Sequence, residues 1–315
     1  MIHVSMRWAL GTIASSVGWL LVSTQGLVEA AWASVPDLLV SGFQSAAVFR
    51  FEGQSGHLMR SYGGSLLGPE GIVLPGDGTM FVANFALKSI TRFDLATGQV
   101  LATFGQGFYY RGMTLGPEGL LYVAYEYGPG VRRFTQDGQD LGLFASGGGM
   151  SRPDGVIFGP DGNLYVADQA NGGVYRFDGA NGQFLDVFVK PGNSGGLRSA
   201  QGLNFGPDGN LYVGGGEDSA VFRFDGRTGS FLDVFVPPRT GGLDGAEHVV
   251  FGGDGLMYVS GYRSNRIHRY DAKTGRFMDT WGAGTGLKGP TYMAFVPEPA
   301  GLLLLAAGML APRRR

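Results

Sequence analysis

One pattern of sequence occurs five times in the chain, and this repeat constrains the fold more than any other feature. Gly155–Asp168 has the sequence GVIFGPDGNLYVAD, and Gly202–Gly215 has GLNFGPDGNLYVGG. Looser copies begin at Gly71, Gly112 and His248. The turn glycines of successive copies follow one another at intervals of 41 to 47 residues. An internal period of this length is typical of repeat architectures such as solenoids and propellers.

Each copy has the pattern of four short strands. In the copy that begins at Gly155 we expect strands over residues 156–158, 164–167, 174–177 and 184–189, because these segments are apolar or alternate apolar with polar residues. A Pro-Asp-Gly turn separates the first two strands, and Asp178–Gly182 forms a turn before the fourth. No segment inside the copies keeps a helical period. Four strands in about 44 residues match one blade of a β-propeller.

The two ends of the repeat region predict the number of blades. The first unit has only three strands, over residues 38–40, 48–51 and 58–62, and lacks an innermost strand. After the sixth unit, Gly289–Phe295 matches an innermost strand with no blade behind it. Pairing this spare strand with the first unit closes the ring and leaves no free inner edge. We therefore predict an all-β fold, a six-bladed β-propeller of four-stranded blades over residues 34–296.

The composition fits this fold and excludes several functions. Of the 315 residues 57 are glycine, yet 44 % are hydrophobic, so the chain has many turns and enough apolar surface for a large core. The absence of cysteine excludes thiol nucleophiles, thiolate metal sites and disulfides. The formal net charge is −2, whereas a nucleic-acid-binding protein needs a basic face. We expect a monomer with no nucleic-acid partner.

The repeat also resembles known families. Pro-Asp-Gly-x-Leu-Tyr-Val-Ala-Asp over 160–168, with Arg-Phe-Asp over 176–178, resembles NHL-repeat proteins and the six-bladed propellers of the gluconolactonase (SMP-30) and virginiamycin B lyase types. The resemblance covers about residues 37–296 and implies the same fold. It leaves the function open, because that fold hosts enzymes, adaptors and carbohydrate binders. The enzymes among these families hold a metal at the channel mouth or use a Glu with a nearby His.

The N-terminus has the pattern of a secretory signal. Arg7 precedes an apolar stretch that begins at Trp8, and Ala31 and Ala33 supply small residues at the −3 and −1 positions of a cleavage site. We therefore predict a signal peptide over residues 1–33 and an exported protein. The alternative is an uncleaved N-terminal anchor.

The C-terminus resembles a PEP-CTERM sorting signal. Residues 297–315 combine Pro-Glu-Pro, a short apolar stretch and terminal arginines, and the motif residues are Pro297, Glu298, Pro299, Arg313, Arg314 and Arg315. The resemblance implies an exosortase-type partner at the membrane, transient membrane association through the tail, and delivery to the cell envelope, cell surface or extracellular matrix. The alternative is that Pro297 and Glu298 are simply a turn of the last repeat.

Equivalent positions from all six blades of a propeller meet around its central channel, and here all six are polar or charged. These ring residues are Glu70, Arg111, Asp154, Gln201, Glu247 and Thr291. We predict a ligand-binding site at this channel mouth. The three carboxylates among them, Glu70, Asp154 and Glu247, are oxygen ligands suited to Ca²⁺, the candidate cofactor. The alternative is that each side chain caps its own turn or pairs with a neighbour.

These observations favour a non-catalytic binding or scaffold module whose ligand is an extracellular polysaccharide or protein. The alternatives are a metal-dependent lactonase or lyase at the channel mouth and a purely structural module that binds nothing specific. No catalytic residue is predicted, because Glu247 and His248 are adjacent on a strand and point to opposite faces. His57 and His268 are expected on the outer surface.

Four tyrosines of the third unit cluster in the sequence; they are Tyr109, Tyr110, Tyr125 and Tyr127. Exposed aromatic rings stack on sugars, whereas tyrosines in propellers mostly pack between blades. Both interpretations stay open at the level of the sequence.

Overall fold

Pairs of short antiparallel strands joined by tight turns build the whole of the described chain. The computed structural model describes residues 35–128 and 130–297. Within these ranges the chain forms 24 strands and one 3₁₀ turn at Thr240–Gly242, arranged in six four-stranded sheets. No helix in the described ranges is long and apolar enough to cross a membrane. The predicted all-β, six-bladed propeller is confirmed.

Blades 2 to 4 each take four consecutive strands, from the innermost to the outermost. Blade 2 contains β4 (Pro69–Val73), β5 (Thr79–Asn84), β6 (Ser89–Asp94) and β7 (Val100–Phe104). Blade 3 contains β8 (Tyr109–Leu115), β9 (Leu121–Glu126), β10 (Gly130–Phe134) and β11 (Asp140–Ser146). Blade 4 contains β12 (Pro153–Phe158), β13 (Leu164–Asp168), β14 (Gly173–Phe177) and β15 (Phe184–Val189).

Blades 5 and 6 repeat this arrangement, whereas blade 1 is assembled from both ends of the repeat region. Blade 5 contains β16 (Ala200–Phe205), β17 (Leu211–Gly215), β18 (Ala220–Phe224) and β19 (Phe231–Val236). Blade 6 contains β20 (Ala246–Phe251), β21 (Leu256–Gly261), β22 (Arg266–Asp271) and β23 (Phe277–Trp281). Blade 1 contains β24 (Pro290–Phe295), β1 (Leu38–Gly42), β2 (Ala47–Phe51) and β3 (Leu58–Tyr62).

The ring closes through the last strand, as predicted. β24 pairs antiparallel with β1, and Leu38 lies opposite Phe295. The pairing continues one residue further, because the Val296 N–H donates to the carbonyl oxygen of Asp37 at 2.8 Å. The innermost position of blade 1 is therefore filled by the C-terminal strand, so the described inner strands form a closed ring without a free edge.

The core lies between neighbouring blades, and a repeated tyrosine explains how they pack. Tyr165 of β13 is buried with its ring edge-on to Phe188 of its own blade at 5.0 Å and to Phe205 of the next blade at 5.2 Å. Its hydroxyl donates to Asp161 of the Pro-Asp-Gly turn at 2.9 Å. Gly162 completes that turn with a φ of 77°, a conformation that favours glycine. The repeated Asp, Gly and Tyr are therefore structural.

Candidate binding site at the channel mouth

The ring residues lie beside a register shift at the start of each innermost strand. In blade 4 the pairing of β12 with β13 skips from Pro153 to Val156, and Asp154 lies in the shifted segment. Equivalent shifts occur in the other five blades. β12 therefore begins three residues earlier than predicted and includes its ring residue. Such bulges bend a strand and redirect a side chain, which here is the ring residue.

Arg111 is the centre of the ion-pair network in the ring. Its Nη1 donates to Oε1 of Glu70 at 2.8 Å, and its Nε donates to Oε2 of Glu126 at 2.8 Å. Its guanidinium also lies 4.5 Å from the ring centroid of Phe85. Nε of Arg152 donates to the other oxygen of Glu126 at 3.0 Å. Burial acts to raise the pKa of Glu126, but the two arginines outweigh it and the pKa is lowered.

Asp154 is almost fully buried, and only one of its oxygens is hydrogen-bonded. Oδ1 accepts a hydrogen bond from the hydroxyl of Tyr292 at 2.6 Å, which joins blade 4 to the closing strand of blade 1. Oδ2 is buried without a hydrogen-bond partner among the described residues, and it lies 4.0 Å from Nε of Arg111. Burial raises the pKa of this carboxyl, and the attraction to Arg111 opposes that rise.

Glu247 is the least satisfied acid of the ring. Its half-buried carboxyl has no hydrogen bond and no ion pair within the described part of the chain. Desolvation, with repulsion from Asp154, raises the pKa of Glu247 to about 8. Burial likewise raises the pKa of Glu70, and both Asp154 and Glu247 add repulsion there. The structure thus brings the three predicted carboxyls close enough together to interact, with Arg111 among them.

The two neutral ring residues pair with their neighbours. Oε1 of Gln201 accepts from Nε2 of Gln169 at 3.0 Å, and Nε2 of Gln201 donates to Oγ of Ser199 at 3.3 Å. Oγ1 of Thr291 donates to the carbonyl oxygen of Pro69 at 3.1 Å. Four ring positions therefore behave as the alternative interpretation expects, whereas Asp154 and Glu247 keep hydrogen-bond acceptors free.

A cavity of about 330 Å³ opens at this mouth. Five of the six ring residues line it, together with side chains from the turns that follow the second strands; these are Phe43, Gln169, Glu217, Tyr262 and Arg263. Ligand pockets in proteins run from about 300 to 1,000 Å³, so the cavity is large enough for a small ligand.

An arc of five aromatic rings borders one side of the mouth. Neighbouring ring centroids are 6.1, 5.8, 5.0 and 5.6 Å apart along the order Tyr262, Phe43, Phe85, Tyr109 and Tyr127. We call these five residues the aromatic arc. Tyr127 is 71 % exposed and forms its end.

Four of the five arc residues occupy one equivalent position of their blades, and the fifth, Tyr109, begins the innermost strand β8. Phe43, Phe85, Tyr127 and Tyr262 each come directly after the strand next to the innermost one in blades 1, 2, 3 and 6. In blades 4 and 5 the same position is Gln169 or Gly216. The mouth therefore has an aromatic side and a polar side. The repeat register contains this signal, but the sequence prediction used only the innermost strands and named Tyr109 and Tyr127 without their partners.

The other two tyrosines of the third unit belong to the core. Tyr110 and Tyr125 are buried, and both pack in one hydrophobic cluster with Phe134. The packing interpretation is therefore correct for these two residues, whereas Tyr109 and Tyr127 belong to the arc.

Close approach of the innermost strands forms the floor of the mouth. A Cβ atom on Gly112 would lie 2.5 Å from the carbonyl oxygen of Asp154, so only glycine fits there without a shift. The rings of His248 and Tyr292 lie 4.7 Å apart in the same layer. Both line a second, mainly apolar cavity of about 280 Å³. Glu247 and His248 therefore face different cavities, as expected for adjacent residues of a strand.

The histidines correct one prediction. His268 was expected on the outer surface because it lies in the third strand of its blade. It is instead 1 % exposed, and its Nε2 is hydrogen-bonded to Oγ of Ser264 at 2.8 Å. The third strand has one side chain in two directed into the interface between blades, and His268 is on that side. His57 is exposed, and burial lowers the pKa of His248 to about 3, so that imidazole is neutral.

The calcium site finds no support in the geometry. In residues 35–128 and 130–297 there is no group of three or more His, Asp or Glu side chains placed to hold a metal ion. Arg111 also occupies the region between the acids and forms an ion pair with Glu70. Calcium at Glu70, Asp154 and Glu247 therefore stays a prediction.

The predicted sorting segments lie almost entirely outside the described residues. The signal peptide with Ala31 and Ala33, and the tail from Glu298 onward, are not described. Pro297 is described, and it is the last such residue. The boundaries at residues 33 and 297 stay predictions.

The fold and the mouth define this protein as a six-bladed β-propeller with an acidic, half-aromatic channel mouth. No family model matches the chain, and no curated protein matches it by sequence. Solved structures share the fold. A chain in a crystal structure of a nidogen/laminin complex is similar with a TM-score of 0.66 at 17 % identity, over 82 % of this chain and 98 % of that chain.

Two further structures extend the comparison. A protein of unknown function from Bacteroides caccae is similar with a TM-score of 0.67 at 14 % identity, over 82 % of this chain and 98 % of that chain. A catalytically inactive virginiamycin B lyase from Staphylococcus aureus, with quinupristin, is similar with a TM-score of 0.58 at 15 % identity, over 80 % of this chain and 86 % of that one. At these identities the likeness shows the fold alone. The NHL, gluconolactonase and PEP-CTERM assignments stay predictions.

Proposed function

We propose that the protein is an exported, non-catalytic binding module of the cell envelope or extracellular matrix, and that it holds its ligand at the channel mouth. The observation that carries this proposal is the buried, unpartnered Oδ2 of Asp154, which lies 4.0 Å from Nε of Arg111. Arg111 and four other ring residues line the cavity. Leaving a buried polar atom unpaired costs about 1–3 kcal/mol. A ligand that supplies the missing hydrogen bonds would remove this cost.

The location is proposed from the sequence of the two ends. A signal peptide that ends at Ala33 and a tail with Pro297, Glu298 and Pro299 would send the chain through the membrane to an exosortase-type enzyme. The test is intact-mass and N-terminal analysis of the protein recovered from its native cell. The proposal expects an N-terminus at Ser34 and loss of the terminal arginines, and retention of residues 1–33 in the exported fraction would contradict it.

The fold is compatible with a binding role and with a catalytic one. A similar chain occurs in a nidogen/laminin complex, and another is a lyase. The absence of a histidine from the lining of the mouth favours binding, because within the described residues the imidazoles lie elsewhere. We therefore place the function in recognition.

One observation favours the catalytic alternative. Glu247 has a pKa near 8, whereas the arginines lower the pKa of Glu126 in the same mouth. Two carboxyls whose pKa values are pushed apart are a common arrangement for an acid and a base. A lactonase or lyase would use Glu247 as the proton donor.

The experiment that tests the binding site blocks the mouth. Gly216→Phe places a ring at the position that is already aromatic in four other blades, and the nearest atoms to the new Cβ belong to the flexible side chain of Gln201. Binding of matrix polysaccharide fractions or extracellular proteins to the purified protein should be lost in this variant, with the far-UV circular dichroism unchanged. Full binding by Gly216→Phe would place the site elsewhere.

The catalytic alternative has a separate test. A panel of lactones, together with quinupristin, is incubated with the purified protein and with Glu247→Gln. Turnover that disappears in Glu247→Gln would replace the binding proposal with the enzyme, and an absence of turnover together with bound ligand supports recognition.

A further inference from the structure

The polar atoms of the mouth show an excess of acceptors over donors. Oδ2 of Asp154 is buried without a partner, and the Glu247 carboxyl has no hydrogen bond within the described part of the chain. The donors nearby are engaged, since Arg111 bonds to Glu70 and Glu126. A ligand that completes this mouth must therefore bring N–H or O–H donors to it.

The charges of the mouth point the same way. Four carboxyls converge there and face two guanidinium groups; the acids are Glu70, Glu126, Asp154 and Glu247, and the bases are Arg111 and Arg152. Arg263 at the rim forms an ion pair with Asp244, which lies outside this group. The local excess of negative charge is compensated by protonation in the free protein or by a cation in the complex. An ammonium group satisfies both requirements, because it is a cation with three donors and no acceptor.

The two sides of the mouth describe the rest of the ligand. Phe43 and Tyr262 line the cavity on the side of the aromatic arc, and Gln169, Ser199 and Gln201 line it on the other side. A sugar ring has the same two-sided character, with C–H groups on its faces and hydroxyls at its edge. Aromatic rings pack against the C–H faces of the sugar, and amide and hydroxyl groups hydrogen-bond to its hydroxyls. An aliphatic amine has no hydroxyl groups that could hydrogen-bond to the polar side.

We propose that the channel mouth binds a sugar that carries a free amine, with the ammonium group between Glu247 and Asp154 and the sugar ring between the aromatic arc and Gln201. This inference rests on the proposed binding function and names its ligand class. The cavity of about 330 Å³ limits the bound part to one or two sugar rings. In a matrix polysaccharide the ligand is a de-N-acetylated hexosamine unit.

Other ligand classes leave some part of the mouth unused. An acidic sugar would meet Arg111 and Arg152 already bonded to carboxylates and would add to the negative charge. A neutral or N-acetylated sugar would leave the acceptors of Glu247 without a cation. A divalent metal would find no group of three acidic or imidazole side chains placed for it within the described residues.

Three disaccharides that differ only in the substituent on C2 test this proposal. They are the β-1,4-linked glucosamine disaccharide, its di-N-acetylated form and cellobiose, which carry an ammonium, an acetamide and a hydroxyl. Isothermal titration with the purified full chain at pH 7 should give an affinity for the amine at least 10-fold higher than for the other two. Cadaverine serves as an amine without a sugar, and its affinity should also be at least 10-fold lower.

Two Glu→Gln variants locate the effect. Glu247→Gln should lower the affinity for the amine at least 10-fold and change the affinity for cellobiose much less, so that the preference for the amine is lost. Glu52→Gln is the matched control, because Glu52 is exposed in the turn between β2 and β3, away from the mouth, and should bind like the parent protein. Far-UV circular dichroism and melting of all variants confirm that they are folded.

The outcomes separate this inference from the proposed function. If all three disaccharides bind equally and Gly216→Phe abolishes binding, the mouth is a sugar site and the amine preference is wrong. If cadaverine binds as tightly as the amine disaccharide, the sugar is wrong. If no disaccharide binds, but a matrix fraction or protein binds the parent and not Gly216→Phe, the inference is wrong and the binding function stands. If nothing depends on the mouth, both are wrong.

Discussion

Acidic side chains lie in two regions, at the interfaces between blades and at the channel mouth, but their hydrogen bonding differs. At the interfaces the repeated acids are fully engaged: Asp208 accepts from the hydroxyl of Tyr212 at 3.0 Å and from the backbone N–H of Asn210 at 3.1 Å. At the mouth Asp154 is more deeply buried but leaves one oxygen without a partner. The ligand proposed for the mouth would supply the hydrogen bond that this second acid lacks.

The two regions also differ in how far the blades resemble one another. The interface residues recur, with a Tyr in the second strand of blades 3 to 6, whereas the six ring positions hold five different residue types. The interface residues recur because every interface between blades is packed in the same way. Variation at the ring produces one asymmetric site from six similar blades, and specificity needs that asymmetry.

The largest expected effect comes from removing an interface tyrosine. Tyr212 lies edge-on to Phe235 and Phe251 at 5.0 Å each, and it is buried. Tyr212→Ala should lower the free energy of unfolding by about 3–5 kcal/mol, since it removes a large ring and leaves a cavity. Urea unfolding followed by tryptophan fluorescence measures this. Tyr127→Ala, at an exposed ring, should cost less than about 1 kcal/mol, and equal losses would contradict the division between the regions.

The second prediction concerns Glu247, the ring acid that has no hydrogen bond within the described part of the chain. The pKa of Glu247 is about 8 in the folded protein and lower when unfolded. The folded state therefore keeps a proton that the unfolded state loses, and stability falls as the pH rises from about 4.5 to 8. Glu247→Gln lacks this loss. A rise in pKa from about 4.5 to about 8 corresponds to about 5 kcal/mol for a fully buried group, and solvent at the half-buried Glu247 reduces this. The variant should therefore be more stable than the parent by on the order of 3 kcal/mol at pH 9 and similar at pH 4. Melting temperatures across this range measure the difference. A constant difference at all pH values would mean that Glu247 ionises normally.

The third prediction concerns Asp208, an acid that is fully hydrogen-bonded at an interface between blades. Hydrogen bonds from Asn210 and Tyr212 and the charge of Arg223 lower the pKa of Asp208, although burial opposes this. Its stabilisation is present above the unfolded pKa and is lost as the pH falls through the folded one. Asp208→Ala should therefore cost about 1 kcal/mol at pH 7 and less at pH 2.5. A cost that does not decrease in acid would show that the turn, and not the ionised carboxylate, carries the effect.

The smallest expected effect is that of calcium. Arg111 already neutralises Glu70, and the described residues contain no trio of acids placed for a metal. Melting with EDTA and with 1 mM Ca²⁺ should differ by less than the scan error, whereas a ligand that binds only the folded state at 100 times its Kd would stabilise by about 2.7 kcal/mol. A stoichiometric ion with a clear shift would support the calcium prediction and the enzyme alternative with it.

Patterns in the sequence were enough to predict the blade count, the ring closure and the identity of the six ring residues. These features depend on local patterns that recur, such as the Pro-Asp-Gly turn before Tyr165 and the spare strand over residues 289–295. All copies have the same strands and turns, so comparing them resolves strand positions that one copy alone would leave ambiguous. The start of β12 and the burial of His268 were missed, because bulges and side-chain direction depend on neighbouring strands.

Which ring residues have hydrogen-bond partners depends on contacts between distant parts of the chain. Arg111 finds Glu126 on the adjacent strand, and Tyr292 reaches Asp154 from a strand 138 residues away in the sequence. The aromatic arc forms because the blades with Tyr262, Phe43, Phe85 and Tyr127 are consecutive once the ring is closed. Local sequence sets the direction of each strand, but the partner across the channel depends on how all six blades close. That is why the positions of the ring residues were predictable and the lack of partners at Asp154 and Glu247 was not.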